Sequence, residues 1–155
     1  MGRKLPRSPV AYIDVSFFAH ATEDPEKVIE AAENVVSAVS AEDIVFKRSK
    51  LKGEYTNPII YFKARVTKRT VADSILNNVA ARLPASEKEK LLRELGLHLD
   101  KGSLYIRFDK QAAFKGKLRI AREDPIHVRI RFRGRKTDEV IRVCREIGLL
   151  PEYGV

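Results

Sequence analysis

The sequence contains one cysteine, one methionine, no tryptophan and a single glutamine, Gln111. With Cys144 alone, no internal disulfide forms, and no cysteine pair is spaced to grip zinc. No apolar run approaches the ~20 residues that a membrane-spanning helix requires. The first ten residues, MGRKLPRSPV, are basic but are not followed by the apolar core of a signal peptide. A cytoplasmic location is therefore expected. Gly-rich phosphate loops and nucleophile elbows are missing as well, and no enzymatic activity or cofactor is expected. Scarce Asn, Gln, Cys and Met beside abundant Lys, Arg and Glu point to a thermophilic source.

What the chain does have is charge of one sign. Its 155 residues include 30 Lys and Arg against 21 Asp and Glu, a formal net charge of +9 and a pI of about 9.8. A 44% hydrophobic content is enough for a globular core. Such a charge balance implies anionic partners (nucleic acid, anionic lipid or acidic protein) and is silent on fold. Between Lys101 and Arg135 there are eleven cations and three carboxylates, an excess of eight, nearly the whole imbalance. In HVRIRFRGR, from His127, arginine recurs at 129, 131, 133 and 135 with apolar residues mostly between. On a strand, that spacing puts the arginines on one face.

Period-two alternation marks strands at 11–19, 43–50, 57–66 and 103–108, and a hairpin at 116–133 turning around Glu123-Asp124-Pro125. In the first strand, Ile13, Val15 and Phe17 share a face. Helical spacing marks 25–39, capped by Asp24 with Pro25 at the first position. A second helix is expected from a Thr70 cap to Pro84. A third is expected from a Ser86/Glu89 capping box to Gly96, and a last one from Thr137 to Gly148. The stretch DKQAAFKG (109–116) reads as one helical turn, with Ala112, Ala113 and Phe114 plugging the sheet edge. The order β-α-β-β-α-α-β-β-β-α predicts an α+β fold: two layers, a largely antiparallel sheet, helices on one face and the other face open to water. Residues 1–8 read as a basic arm, 9–150 as a single domain and 151–155 as a tail.

The open face is where an anion would lie. Arg107, Lys117, Arg119, Arg129, Arg131 and Arg133 are placed there to contact phosphates, with Lys63 and Arg65 beside them. Arginine's planar fork matches phosphate bidentately. Tyr61 and Tyr105 share the face, and stacking on a base contributes roughly 1–3 kcal/mol. Lys110 and Gln111 are candidates for more specific contacts. Lys47, Arg48, Lys50 and Lys52 form a second basic element that is equally well read as a hairpin tip. The residues alone leave three readings of the cations: RNA, an acidic protein or lipid, or a merely solvated face. RNA is preferred to duplex DNA because no helix is basic enough to read a groove. His20, Glu23 and Asp24 form the one corner suited to metal or acid–base chemistry, but Asp24 is already accounted for as a cap and Glu23 suits a helix N-terminus, so no metal site is assigned. Cys144 falls on an apolar helix stripe and reads as core.

Four segments also carry a resemblance. HATED (His20–Asp24), NPI (Asn57–Ile59), LYIRFDKQAAFKG (Leu104–Gly116) and DPIHVRI (Asp124–Ile130) occur in an order that resembles the small archaeal RNA-binding proteins described as predicted exosome subunits. The resemblance spans roughly residues 9 to 135, and the Asp-Lys-Gln-Ala block is its most specific part. It implies a fold like ribosomal protein L5 or double-stranded-RNA-binding domains. It also implies a non-enzymatic RNA-binding role in RNA processing or translation, with exosome or ribosome components as partners. The alternative is an adaptor that docks its basic face on an acidic subunit of a ribonucleoprotein or exosome-type complex.

Overall fold

Alternating apolar and polar residues give this chain a sheet with two unlike faces. A computed structural model describes residues 9–36, 43–52, 57–134 and 136–151. The elements are β1 (Val10–Ala19), α1 (Pro25–Val35), β2 (Lys47–Lys52), β3 (Pro58–Val66), α2 (Arg69–Arg82), α3 (Ala85–Arg93) and α4 (Leu95–His98). They continue with β4 (Leu99–Asp100), β5 (Ser103–Phe108), α5 (Lys110–Phe114), β6 (Ile126–Phe132) and α6 (Thr137–Glu146). The strands form one six-stranded sheet, ordered β2-β3-β1-β6-β5-β4, with every neighbouring pair antiparallel. This is the expected α+β class. The basic arm, Val39, residues 53–56, Arg135 and residues 152–155 lie outside the described residues.

One face is the core. Ile13 sits between Val66 and Ile130, Val15 between Ala64 and Val128, and Phe17 stacks on Phe62 at 4.9 Å between ring centroids. Val28, Ala32 and Val35 of α1, Ile75 and Val79 of α2, Leu91 of α3, and Val140 and Cys144 of α6 are buried in the same cluster. Each large aliphatic or aromatic side chain there contributes roughly 1.5–3 kcal/mol by leaving water. Among the described residues, no helix is long and apolar enough to cross a membrane.

The helix ends follow the sequence in part. Asp24 accepts from the Glu26 N–H at 3.0 Å, and Pro25 opens α1. Gly148, at φ +85°, closes the turn after α6, as only glycine does without strain. Other caps differ. Thr70, Ser86 and Thr137 all lie inside their helices, behind Lys68, Pro84 and Lys136, and none of the three helices has a side-chain cap. Gly96 lies within α4 rather than ending α3. In α5, Asp109 caps the Ala112 N–H at 2.8 Å and Ala113 is buried, but Phe114 points outward, 42% exposed.

The largest difference concerns the expected 116–133 hairpin. Residues 117–121 do not pair with β6, whose two edges are taken by β1 and β5. They lie instead along the end of β5. Phe108 and Ile120 form an isolated bridge, the Asp109 N–H donates to Arg119 O at 2.8 Å, and the Ala121 N–H donates to Arg107 O at 2.9 Å. Leu118 and Ile120 are buried, so the alternation read from the sequence is real but its hydrogen-bonding partner is another strand.

Candidate nucleic-acid interface

Residues paired across antiparallel strands share a face, so the register lays out the second face in rows. One row is Lys47, Lys63, Ser16, His127 and Arg107. The next is Arg65, Asp14, Arg129 and Tyr105. Tyr12, Arg131, Ser103 and Asp100 form a third, and Ser49, Tyr61 and Phe18 a fourth. Six cations (Lys47, Lys63, Arg65, Arg107, Arg129, Arg131) therefore meet two carboxylates (Asp14, Asp100) in the described strands. Like charges stand side by side, as at Lys47 and Lys63, an arrangement that costs a few tenths of a kcal/mol per pair or more.

The face is organised around a buried acid. Asp14, 5% exposed, accepts from Arg65 Nε at 2.8 Å and from Nη2 at 2.9 Å, with Lys63 Nζ at 4.0 Å. The Asp14 hydrogen bonds hold the Arg65 guanidinium above its ordinary pKa. That guanidinium lies 4.0 Å from the Tyr12 ring centre. Arg129 sits between Tyr12 and Tyr105, 5.6 Å from each ring, and donates to Ser103 Oγ at 3.1 Å. Arg131 donates to Lys101 O. These contacts set the arginines before any ligand arrives, which lowers the entropy lost on binding. His127, half-buried beside Arg107, has its pKa lowered by burial first and then by that cation, with Asp124 opposing.

Seven of the residues expected at the interface share this face: Tyr61, Lys63, Arg65, Tyr105, Arg107, Arg129 and Arg131. Arg133 lies one residue beyond β6, exposed, with its N–H donating to Pro9 O. Lys117 and Arg119 lie elsewhere. With Arg82 and Lys115 they line a groove of about 610 Å³ by the α2–α3 connection, a consequence of the displaced 117–121 segment. Gln111, on α5, lines that groove too. Arg82 itself is committed to Asn34 O and Asn78 Oδ1, both at 2.8 Å. Of the second basic element, Lys47 joins the open face. Arg48 turns to the helix side, 5.1 Å over the Phe62 ring and 3.0 Å from Glu26. Lys50 and Lys52 pair with Ile60 and Pro58 on that same side. Tyr12, Phe18 and His127 were not anticipated. The signal was present, because Ile13, Val15 and Phe17 facing inward oblige Tyr12, Asp14, Ser16 and Phe18 to face outward.

Lys110 is not on the open face. Its side chain is 11% exposed, and Nζ donates to Phe18 O at 2.6 Å, Asp124 Oδ2 at 2.8 Å and Glu23 Oε1 at 3.2 Å. His20 Nε2 lies 3.0 Å from Asp124 Oδ1. His20, Glu23 and Asp124 thus converge, with ligand atoms within 4.8 Å of one another. The Lys110 ammonium is set among them, where a divalent cation would meet a like charge. The corner is an ion-pair knot that ties β1, α5 and the loop before β6 together. Asp24, the expected third member, is absorbed as the α1 cap. Cys144 is buried, and burial pushes its thiol up to about 12.

A sheet with one cationic, aromatic face and helices on the other is an arrangement that RNA-binding modules use. The chain belongs to a family of RNA-binding proteins: the family model described as RNA binding matches residues 12–132. An RNA-binding protein of Pyrococcus abyssi is 34% identical over 139 residues, 86% of this chain and 90% of that protein. Among solved structures, a DUF54 protein from Archaeoglobus fulgidus is 32% identical with a TM-score of 0.74, covering 89% of this chain and 99% of that one. A DUF54 protein from Methanothermobacter thermautotrophicus is 25% identical with a TM-score of 0.72, over 90% and 98%.

Proposed function

We propose that this chain binds RNA on the open sheet face without catalysing a reaction, with Lys63, Arg65, Arg107, Arg129 and Arg131 contacting phosphates and Tyr61 and Tyr105 stacking on bases. The observation that carries the reading is the concentration of pre-set arginines on a solvent-facing sheet around the buried carboxylate of Asp14. Family membership supports the choice of RNA over other polyanions. Five phosphate contacts on a single strand give a log–log salt slope near −3.5, since each contributes about −0.7. The test is fluorescence anisotropy with RNA oligomers between 50 and 300 mM salt (roughly the range over which counterion release is read). Binding with a slope near −3.5, flattened in Arg129→Ala and Arg131→Ala, is the expected result. A flat salt response removes the reading. The partners fitting this role are components of RNA-processing or translation assemblies, such as the exosome or ribosome. A protein that ignored bare RNA and captured one acidic subunit would be an adaptor instead.

A further inference from the structure

The open face is not flat. Its middle strand, β1, presents the short side chains Asp14 and Ser16 between the large rings of Tyr12 and Phe18. The flanking strands β3 and β6 present longer ones, Tyr61 and Lys63 on one side, His127 and Arg129 on the other. The result is a trough of about 470 Å³, within the ~300–1,000 Å³ of small-ligand sites. Phe18 and Tyr61, 5.0 Å apart between ring centres, wall one end, and Tyr105 lines the trough from β5. Between these walls Ser16 and the ring of His127 bring polar atoms to the floor above the buried Asp14, and Leu51 of β2 lines the trough beside them. Lys63 and Arg129 stand at the rim.

We propose that this trough receives an unpaired base of single-stranded RNA, stacked against Phe18–Tyr61 or Tyr105, with its hydrogen-bonding edge turned to Ser16 and His127 and its phosphates on Lys63 and Arg129. The inference rests on the RNA-binding reading and specifies the class of RNA. Two features carry it. Aromatic walls offer a π-face to any base, and stacking tolerates sequence. A polar floor between the walls reaches the base edge, which in an A-form duplex is turned inward, stacked and confined to a deep narrow groove or a shallow one. A duplex has phosphates for the rim but nothing to insert into the trough.

The experiment compares a single-stranded RNA of about twelve nucleotides with a twelve-base-pair RNA duplex, at equal salt, for the wild-type chain and for Tyr61→Ala, Tyr105→Ala and Ser16→Leu. Ser16 is partly exposed and fills no core position, so Ser16→Leu blocks the trough without emptying the interior. The wild type is expected to favour the single strand by at least about tenfold, and each tyrosine variant to lose on the order of tenfold for the single strand only. The salt slope is expected to persist in all of them. A 2-aminopurine placed in the single strand is expected to change its emission on binding to the wild type and not to Ser16→Leu. Equal affinity for duplex and single strand, unmoved by the three variants, overturns this inference and leaves RNA binding intact. Absence of binding to both RNAs overturns the RNA-binding reading itself.

Discussion

Asp14 shows how much one residue arranges. Among the described residues it is the single buried carboxylate, and it holds Arg65 by two hydrogen bonds while Arg65 lies over Tyr12. Asp14→Asn keeps the shape and removes the charge. It is expected to cost about 1–2 kcal/mol, at the lower end for charge-assisted bonds because Arg65 is half exposed. Thermal unfolding should register a Tm lower by roughly 2–8 °C; an unchanged Tm would mean that Asp14 does not anchor the ladder. His127 gives a pH signature. Its folded pKa is depressed by burial and Arg107, so near its titration the unfolded chain binds more protons than the native one. Its contribution to stability is complete above about pH 6.5 and is lost as pH falls through the folded value. RNA on the face acts in the opposite sense, because phosphates favour the imidazolium. Acidification from pH 7.5 to 5.5 should therefore weaken the free protein towards urea and tighten its RNA complex, with both trends reduced in His127→Gln.

The elements were legible to different depths. β1, β3, β5 and β6 show period-two alternation with one side destined for water, so their positions and facing follow from the residues alone. The cap at Asp24 and the stop at Gly148 are equally local. What the sequence did not disclose was partnership. Leu118 and Ile120 alternate like a strand residue pair and are buried like one, yet which edge receives them depends on β1 having already claimed β6. That is a contest between distant segments, invisible to a local pattern, and it moved Lys117 and Arg119 from the open face to the α2–α3 groove. The surroundings of Lys110 were hidden for a similar reason. Its anionic partners, Glu23 and Asp124, lie 87 and 14 positions away along the chain. Replacing it tests the assignment at the scale of elements. Lys110→Met leaves two carboxylates without their cation and frees Phe18 O, at the corner where β1, α5 and the loop before β6 meet. The expected loss is about 1–3 kcal/mol in urea unfolding, with the salt slope of RNA binding unaltered. A lowered slope at unchanged stability would put Lys110 on the RNA instead.

At the scale of the molecule, the question is how far a polyanion's footprint extends. Two groups of described cations share no lining residue: the open face around Asp14, and the groove of Lys115, Lys117 and Arg119 beside Arg82. A strand confined to the open face neutralises about five phosphates, and one that turned round the β5 edge to reach Lys117 and Arg119 would neutralise about seven. The corresponding slopes are near −3.5 and −4.9, a separable difference. The open face has arginines fixed by Asp14, Ser103 and Lys101, together with aromatic rings. The groove has Lys117 and Arg119 with exposed side chains on a segment whose backbone is bonded to the end of β5, and its lining lacks a tyrosine. Pre-set donors and stacking surface favour the first path, because ordering long free side chains consumes much of what each phosphate contact yields. The double variant Lys117→Ala/Arg119→Ala should therefore leave the slope near −3.5 and the affinity within about twofold for oligomers of twelve nucleotides, while Arg129→Ala/Arg131→Ala lowers the magnitude of the slope by about 1.4. A comparable fall in both double variants would show that the RNA crosses the edge and that the two basic surfaces act as one.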